Sequence, residues 1–106
     1  MLKVFQFVDG VCHKIDTRTL EQAKAHDLSD ISMLCSQSIM DAGLNEITQQ
    51  NAALGIYEPA RCEAIKNYIA ACRNEYLRCK GLILAATSNE AADSVQFQPP
   101  SVPENL

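Results

Sequence analysis

The chain has 106 residues, of which 47% are apolar and 21% charged, and it carries a net charge of −4 at neutral pH. This length suits one domain with a modest core, and the acid excess argues against a nucleic-acid-binding surface covering the whole molecule. No apolar run approaches the roughly 20 residues that span a bilayer, and the short run after Lys3 is broken by Gln6 and Asp9, which is not the form of a signal peptide.

Residues 2–15, LKVFQFVDGVCHKI, have the pattern of a β-hairpin: two β-rich runs flank Asp9-Gly10, a strong two-residue turn signal. That register sets Val8 opposite Val11, Phe7 opposite Cys12, Gln6 opposite His13 and Val4 opposite Ile15. Both faces then carry apolar groups. An isolated two-stranded hairpin is marginal in water, so a helix or a second copy is expected to cover it.

Thr19 stands three positions before Gln22, a capping-box spacing that predicts a short helix over 17–27. Ser29 or Asp30 can cap the next helix, which runs toward Leu54. Gly43 lies inside that segment and costs about 1 kcal/mol relative to Ala, so one helix or two are both open. GIYEP (residues 55–59) ends it: Gly55 suits a left-handed helix terminus and Pro59 the first turn of the following helix. A single long helix is expected from Pro59 to about Thr87. Thr87 or Ser88 then caps a short segment, with Glu90 placed to close a box from Thr87, and QFQPPSVPENL reads as an extended or disordered tail unless a partner holds it.

The long helix carries a heptad seam of Cys62, Ile65, Ile69, Cys72, Tyr76, Cys79, Ile83 and Ala86, in alternating steps of three and four. The preceding segment has a matching seam of Met33, Gln37, Met40, Leu44, Ile47, Asn51 and Leu54. Folding back at GIYEP pairs Leu54 with Cys62, Ile47 with Ile69, Leu44 with Cys72 and Met40 with Tyr76. The expected fold class is therefore mainly α: a coiled-coil-like antiparallel helical hairpin, a small N-terminal β-hairpin and an extended Pro-rich C-terminal tail. Its divisions are 1–16, the β-hairpin; 17–87, a helical domain turning at 55–59; and 88–106, a short helix and tail.

Five cysteines, an odd number and without a secretory signal, read as reduced thiols in a cytosolic compartment. Cys62, Cys72 and Cys79 lie about 15 and 10 Å apart along one helix, whereas a tetrahedral zinc needs sulfurs about 2.3 Å from one ion. No CxxC occurs. The thiols are expected to pack as small hydrophobes, with an intermolecular disulfide open if the long helix pairs with its own copy. His13 is expected to face Gln6, and His26 to sit near a helix C-terminus, where it favours the dipole. Cys12 and His13 point to opposite faces of a strand and cannot form a nucleophile–base pair. There is no Gly-rich phosphate loop, GxSxG or HExxH. No enzyme, cofactor or metal is therefore expected. Lys66, Arg73 and Lys80 form a basic stripe flanking the seam, with Asp41 placed near Arg73. A solvated flank is its commoner meaning.

Apolar residues outside the seam need cover: Ile31, Cys35, Ile39 and Ala42 on the first helix, and Tyr68, Leu77, Leu82 and Leu84 on the second. Ile31, Cys35, Ile39, Tyr68, Leu77, Leu82 and Leu84 are the candidate interaction surface, and the hairpin edges point the same way. Homo-oligomerisation or docking on a larger protein is expected, with no membrane.

The stretch NAALGIYEPARCEAIKNYIAACRNEYLRCKGLILAATSNEAADSVQFQPP, residues 51–100, resembles the C-terminal part of small helical proteins encoded among tailed-bacteriophage virion genes. It covers about half the chain and carries no catalytic or binding residues with it. The resemblance implies a structural, adaptor or assembly protein, placed in the virion or in the host cytoplasm during assembly. An alternative is a small intracellular phage regulator that binds and inhibits a host protein. A thiol-dependent redox sensor is a third class, resting on the cysteines alone.

Overall fold

A computed structural model describes the backbone of residues 3–8 and 11–106, and the side chains from Asp16 onward. β1 (Lys3–Val8) and β2 (Val11–Asp16) run antiparallel. The expected turn at Asp9-Gly10 and the facing of its flanking side chains lie outside the described residues, so the β-hairpin remains an expectation.

α1 (Leu20–Asp41) begins on the Thr19 capping box. Gln22 N donates to Thr19 Oγ1 at 3.1 Å, and Thr19 N to Gln22 Oε1 at 2.9 Å, which satisfies two orphan donors reciprocally. The helix then continues through Ser29 and Asp30, where the sequence predicts a new start. Both face solvent there, and the few tenths of a kcal/mol they cost in a helix interior are outweighed by packing of Leu28, Ile31 and Cys35 along one face.

The real break is Gly43, with φ +83. Gly43 N donates to Met40 O (2.9 Å) and Leu44 N to Ile39 O (3.2 Å), the paired bonds of a Schellman closure. Its hydrophobic partner contact drops Leu44 into the core beside Ile39. Asn45 caps α2 (Glu46–Ala53) through Thr48 N at 2.8 Å. A second Schellman closure at Gly55, φ +72, ends it, with Gly55 N on Ala52 O and Ile56 N on Asn51 O. Pro59 opens α3 (Pro59–Ala85). Ser88 caps α4 (Asn89–Asp93) through Ala91 N at 3.1 Å.

α1 and α3 are antiparallel. Lys24 Nζ donates to Leu84 O (2.7 Å), Cys35 Sγ to Cys72 O (3.5 Å) and Tyr68 Oη to Ser38 O (3.3 Å). This register corrects the expected one, in which Met40 would face Tyr76: Ser38 lies by Tyr68 instead. The Gly43 turn and α2 separate the two long helices in the chain, so GIYEP alone does not set their pairing.

Two apolar clusters result. One joins Ile31 on α1, Cys79 and Ile83 on α3, Ala92 on α4 and Phe97. The other joins Leu44, Ala52 from α2, and Ile65, Tyr68 and Cys72 from α3. Cys35 packs against both.

The tail is extended, as its prolines dictate, and the chain's own helix holds it. Gln98 N donates to Glu75 Oε2 at 2.8 Å, Asn105 Nδ2 reaches Ala60 O at 3.4 Å, and Leu106 packs on the second cluster. From Gln98 to Asn105 a polyproline-like path covers about 22 Å. From Glu75 back to Ala60 the helix also covers about 22 Å.

Candidate interaction surface

The expected seam and the expected surface exchange members once the register is known. On α3, Cys62, Ile65, Cys72, Cys79 and Ile83 are buried, with Ile69 and Tyr76 half-buried. On the first two helices the assignment is corrected. Leu44 is buried, but Met33 (64% exposed), Met40, Ile47 (68%) and Leu54 (75%) face solvent. The inward face of α1 is the other stripe, Ile31 with Cys35, Ile39 and Ala42. Ile31 and Tyr68, expected on the outside, are each 3% exposed and belong to the core, and Cys35 and Ile39 are half-buried. Leu77, Leu82 and Leu84 are exposed.

Beside α3, Leu77 lines two neighbouring grooves. One, of about 480 Å³, lies between α2 and α3 over Ala52, Ile65 and Ile69. The other, of about 400 Å³, lies between α1 and α3 over Ser32, Cys35 and Tyr76. Arg73 and Leu77 border both, so the grooves adjoin across this pair as a divided trough along the flank of α3. Lys66 and Arg73 stand on its rim, and neither has an ion-pair partner among the described residues.

The thiols of α3 are occupied by packing and by backbone acceptors. Cys62 Sγ donates to Tyr57 O at 3.4 Å and Cys79 Sγ to Gln96 O at 3.4 Å. Burial pushes the Cys35, Cys72 and Cys79 thiols above their ordinary range, which disfavours the thiolate that nucleophilic, redox or metal chemistry requires. Burial likewise lifts the Tyr68 phenol to about 12.

A charged knot that the sequence does not announce ties the ends of the helical unit. The Arg18 side chain, 7% exposed, donates to Asp16 Oδ1 and Oδ2 at 2.9 and 2.7 Å, and also to both oxygens of Asp93 across 75 positions of sequence. Asn89 Nδ2 donates to Arg18 O at 3.0 Å. Hydrogen bonds from Arg18 hold the Asp16 carboxyl well below the usual carboxylate range. Asp27 lies next to Asp93. Burial, then the neighbouring carboxylate, raises its pKa to about 6. Its Oδ2 is buried with no hydrogen-bond partner among the described residues, a position a proton resolves by turning that oxygen into a donor. Where the tail begins its strap along α3, the Arg78 guanidinium beside Glu75 lowers that carboxyl to about 2.

One group of potential metal-ligating side chains occurs among the described residues: His26, Asp27 and Asp30, with ligand atoms within 4.8 Å of one another. His26 and Asp30 are exposed and already paired at 3.2 Å, and all three sit on one turn of α1. No helix is long and apolar enough to cross a membrane among the described residues. No protein family, curated protein or solved structure matches this chain.

Proposed function

We propose that the chain is a non-enzymatic packing module, a structural, adaptor or assembly protein of a tailed-phage virion that works through its helix faces. The carrying observation is the distribution of side-chain size. Alanines and cysteines fill much of the interior, while Met33, Leu34 and Met40 on α1, Ile47 on α2, Leu54 and Ile56 after it, and Leu77 and Leu84 on α3 stand in solvent. Large aliphatic groups gathered on successive helices mark surfaces that another protein covers. The antiparallel α1–α3 pair is the rigid spine that presents them, and the strapped tail stiffens its far side. The resemblance of residues 51–100 to small virion-gene proteins supplies the setting.

The test is quantitative mass spectrometry of purified phage particles and of their assembly intermediates. The expected result is this chain at a fixed copy number relative to a capsid or tail protein. Its absence from both particles and intermediates overturns the assignment.

A further inference from the structure

We propose that the acidic, apolar outer stripe of α1 docks into the basic, apolar trough along α3 of a second copy of this chain, which builds a head-to-tail assembly. This names the partner for the packing role proposed above and rests on it.

The stripe is set by helical geometry. At 100° per residue, Asp30, Met33, Leu34, Gln37, Met40 and Asp41 fall within an arc of about 120°, and all six are exposed. Asp30, Met33, Leu34 and Gln37 line a shallow groove of their own. No Lys or Arg occurs from Ala25 to Ala60, and the groups on α1 that engage these carboxylates are His26, 3.2 Å from Asp30, and the Gln37 amide, which donates to Asp41 at 2.7 Å.

The flank of α3 has the opposite sign. Lys66, Arg73 and Lys80 recur every seven residues, and beside them Ala70, Leu77 and Leu84 recur with the same step. Cations and aliphatic groups therefore run as two parallel rows, and the row of Leu77 opens into the trough. Asp30 and Asp41 lie about 16 Å apart along their helix, about 6 Å more than Lys66 to Arg73 and about 5 Å less than Lys66 to Lys80, so the long basic side chains must reach along the helix to meet both carboxylates. Met33 and Met40, between the two carboxylates, then lie over Ile69 and Leu77. Methionine suits such a seat, since its flexible thioether conforms to an irregular floor.

The stripe and the trough cannot meet within one molecule. α1 already packs on α3 through Ile31, Cys35 and Ile39, which turns Met33 and Met40 away from the trough beside it. The donor of the stripe is another copy. Because the two surfaces differ, a contact made once per pair of copies is heterologous and repeats into a ring or a filament. The opposite charges favour stripe meeting trough over stripe meeting stripe, while the methionines and leucines supply the burial.

The experiment is sedimentation equilibrium of the full chain across a wide concentration range, together with two charge-reversed forms, D30K/D41K and K66E/R73E. All four positions are exposed, and circular dichroism checks that both forms keep their helices. Wild type is expected to rise in mass with concentration above the 11.7 kDa protomer. Each reversed form is expected to self-associate at least about tenfold more weakly, as like charges are set opposite each other. An equimolar mixture of the two is expected to regain wild-type association, because each stripe again meets a trough of opposite sign. A monomeric wild type overturns the proposal, as does association untouched by either reversal, or a mixture that stays apart. A wild-type monomer that is nevertheless present in phage particles overturns this contact alone and leaves the packing role standing.

Discussion

Asp27 is the side chain whose ionisation works against the fold. Its folded pKa of about 6 lies above the ordinary 3.8, so the stability linked to it is full below pH 4 and is lost as the pH rises through 6. Asp16 and Glu75 run the other way. Arg18 and Arg78 hold them low, so their contribution is present at neutral pH and is lost on acidification, for Glu75 from 4.5 toward about 2. D27N places a permanent donor where the proton would sit. At pH 7.5 it should stabilise the protein on the order of 1 kcal/mol after allowance for partial exposure. Urea unfolding followed from pH 4 to pH 7.5 should also show a flatter slope for D27N, and parallel slopes would contradict the buried-carboxyl account. The cysteines give a second residue-scale outcome. In a C12S background, Cys62, Cys72 and Cys79 should react with an aromatic disulfide reagent only as fast as the chain opens, since all three are buried. Rapid labelling of Cys72 or Cys79 in the native state would contradict their packing.

Helix boundaries follow from local chemistry, and two glycines show the contrast. Gly43 has φ +83 and Gly81 lies inside α3, and neither would bring an added Cβ within 4 Å of a neighbour. The cost of a side chain at either site is therefore a backbone matter alone. G43A should lose about 1–2 kcal/mol because an L-residue is strained in the left-handed region. G81A should gain up to about 1 kcal/mol because a helix interior favours Ala over Gly. Thermal unfolding of the pair reads both signs, and a G43A protein as stable as wild type would remove the Schellman turn as the cause of the break. The same locality explains what was legible in the sequence. The Thr19–Gln22 box, Gly55 and Pro59 each depend on four or five adjacent residues, whereas the sequence left the α4 cap open between Thr87 and Ser88 and the structure places it on Ser88. The inward face of α1 was not legible, because that helix carries two apolar stripes. The choice between Met33–Met40 and Ile31–Cys35–Ile39 is made by packing on α3, on α4 and on Phe97. The Arg18–Asp93 knot left no local trace at all, since its partners lie at opposite ends of the chain.

At the scale of the whole molecule, the helical unit is closed by its own last segment. Phe97 is 8% exposed in the cluster of Ile31, Cys79 and Ile83, so it anchors the strap that Glu75 and Ala60 receive further along. F97A should cost about 3 kcal/mol, and it should speed protease cleavage after residue 98 while α3 keeps its helical dichroism. Cleavage at the wild-type rate would mean that the strap is held by its polar contacts alone. The candidate surface was legible to the extent that Leu77, Leu82 and Leu84 stand off the α3 seam and are exposed. Met33, Met40, Ile47 and Leu54 were hidden from it, because a heptad drawn through Gly43 counts them as interior.

The strap also makes the chain its own competitor. Residues 96–106 are in effect a ligand tethered beside their receptor, present at a local concentration of about a millimolar. Any foreign segment seeking that side of α3 must outbid this standing occupant, and the way in begins at Phe97, its deepest anchor. The two long flanks of α3 are thus unequal: the trough side is open to first comers, and the strapped side admits only what can displace a resident.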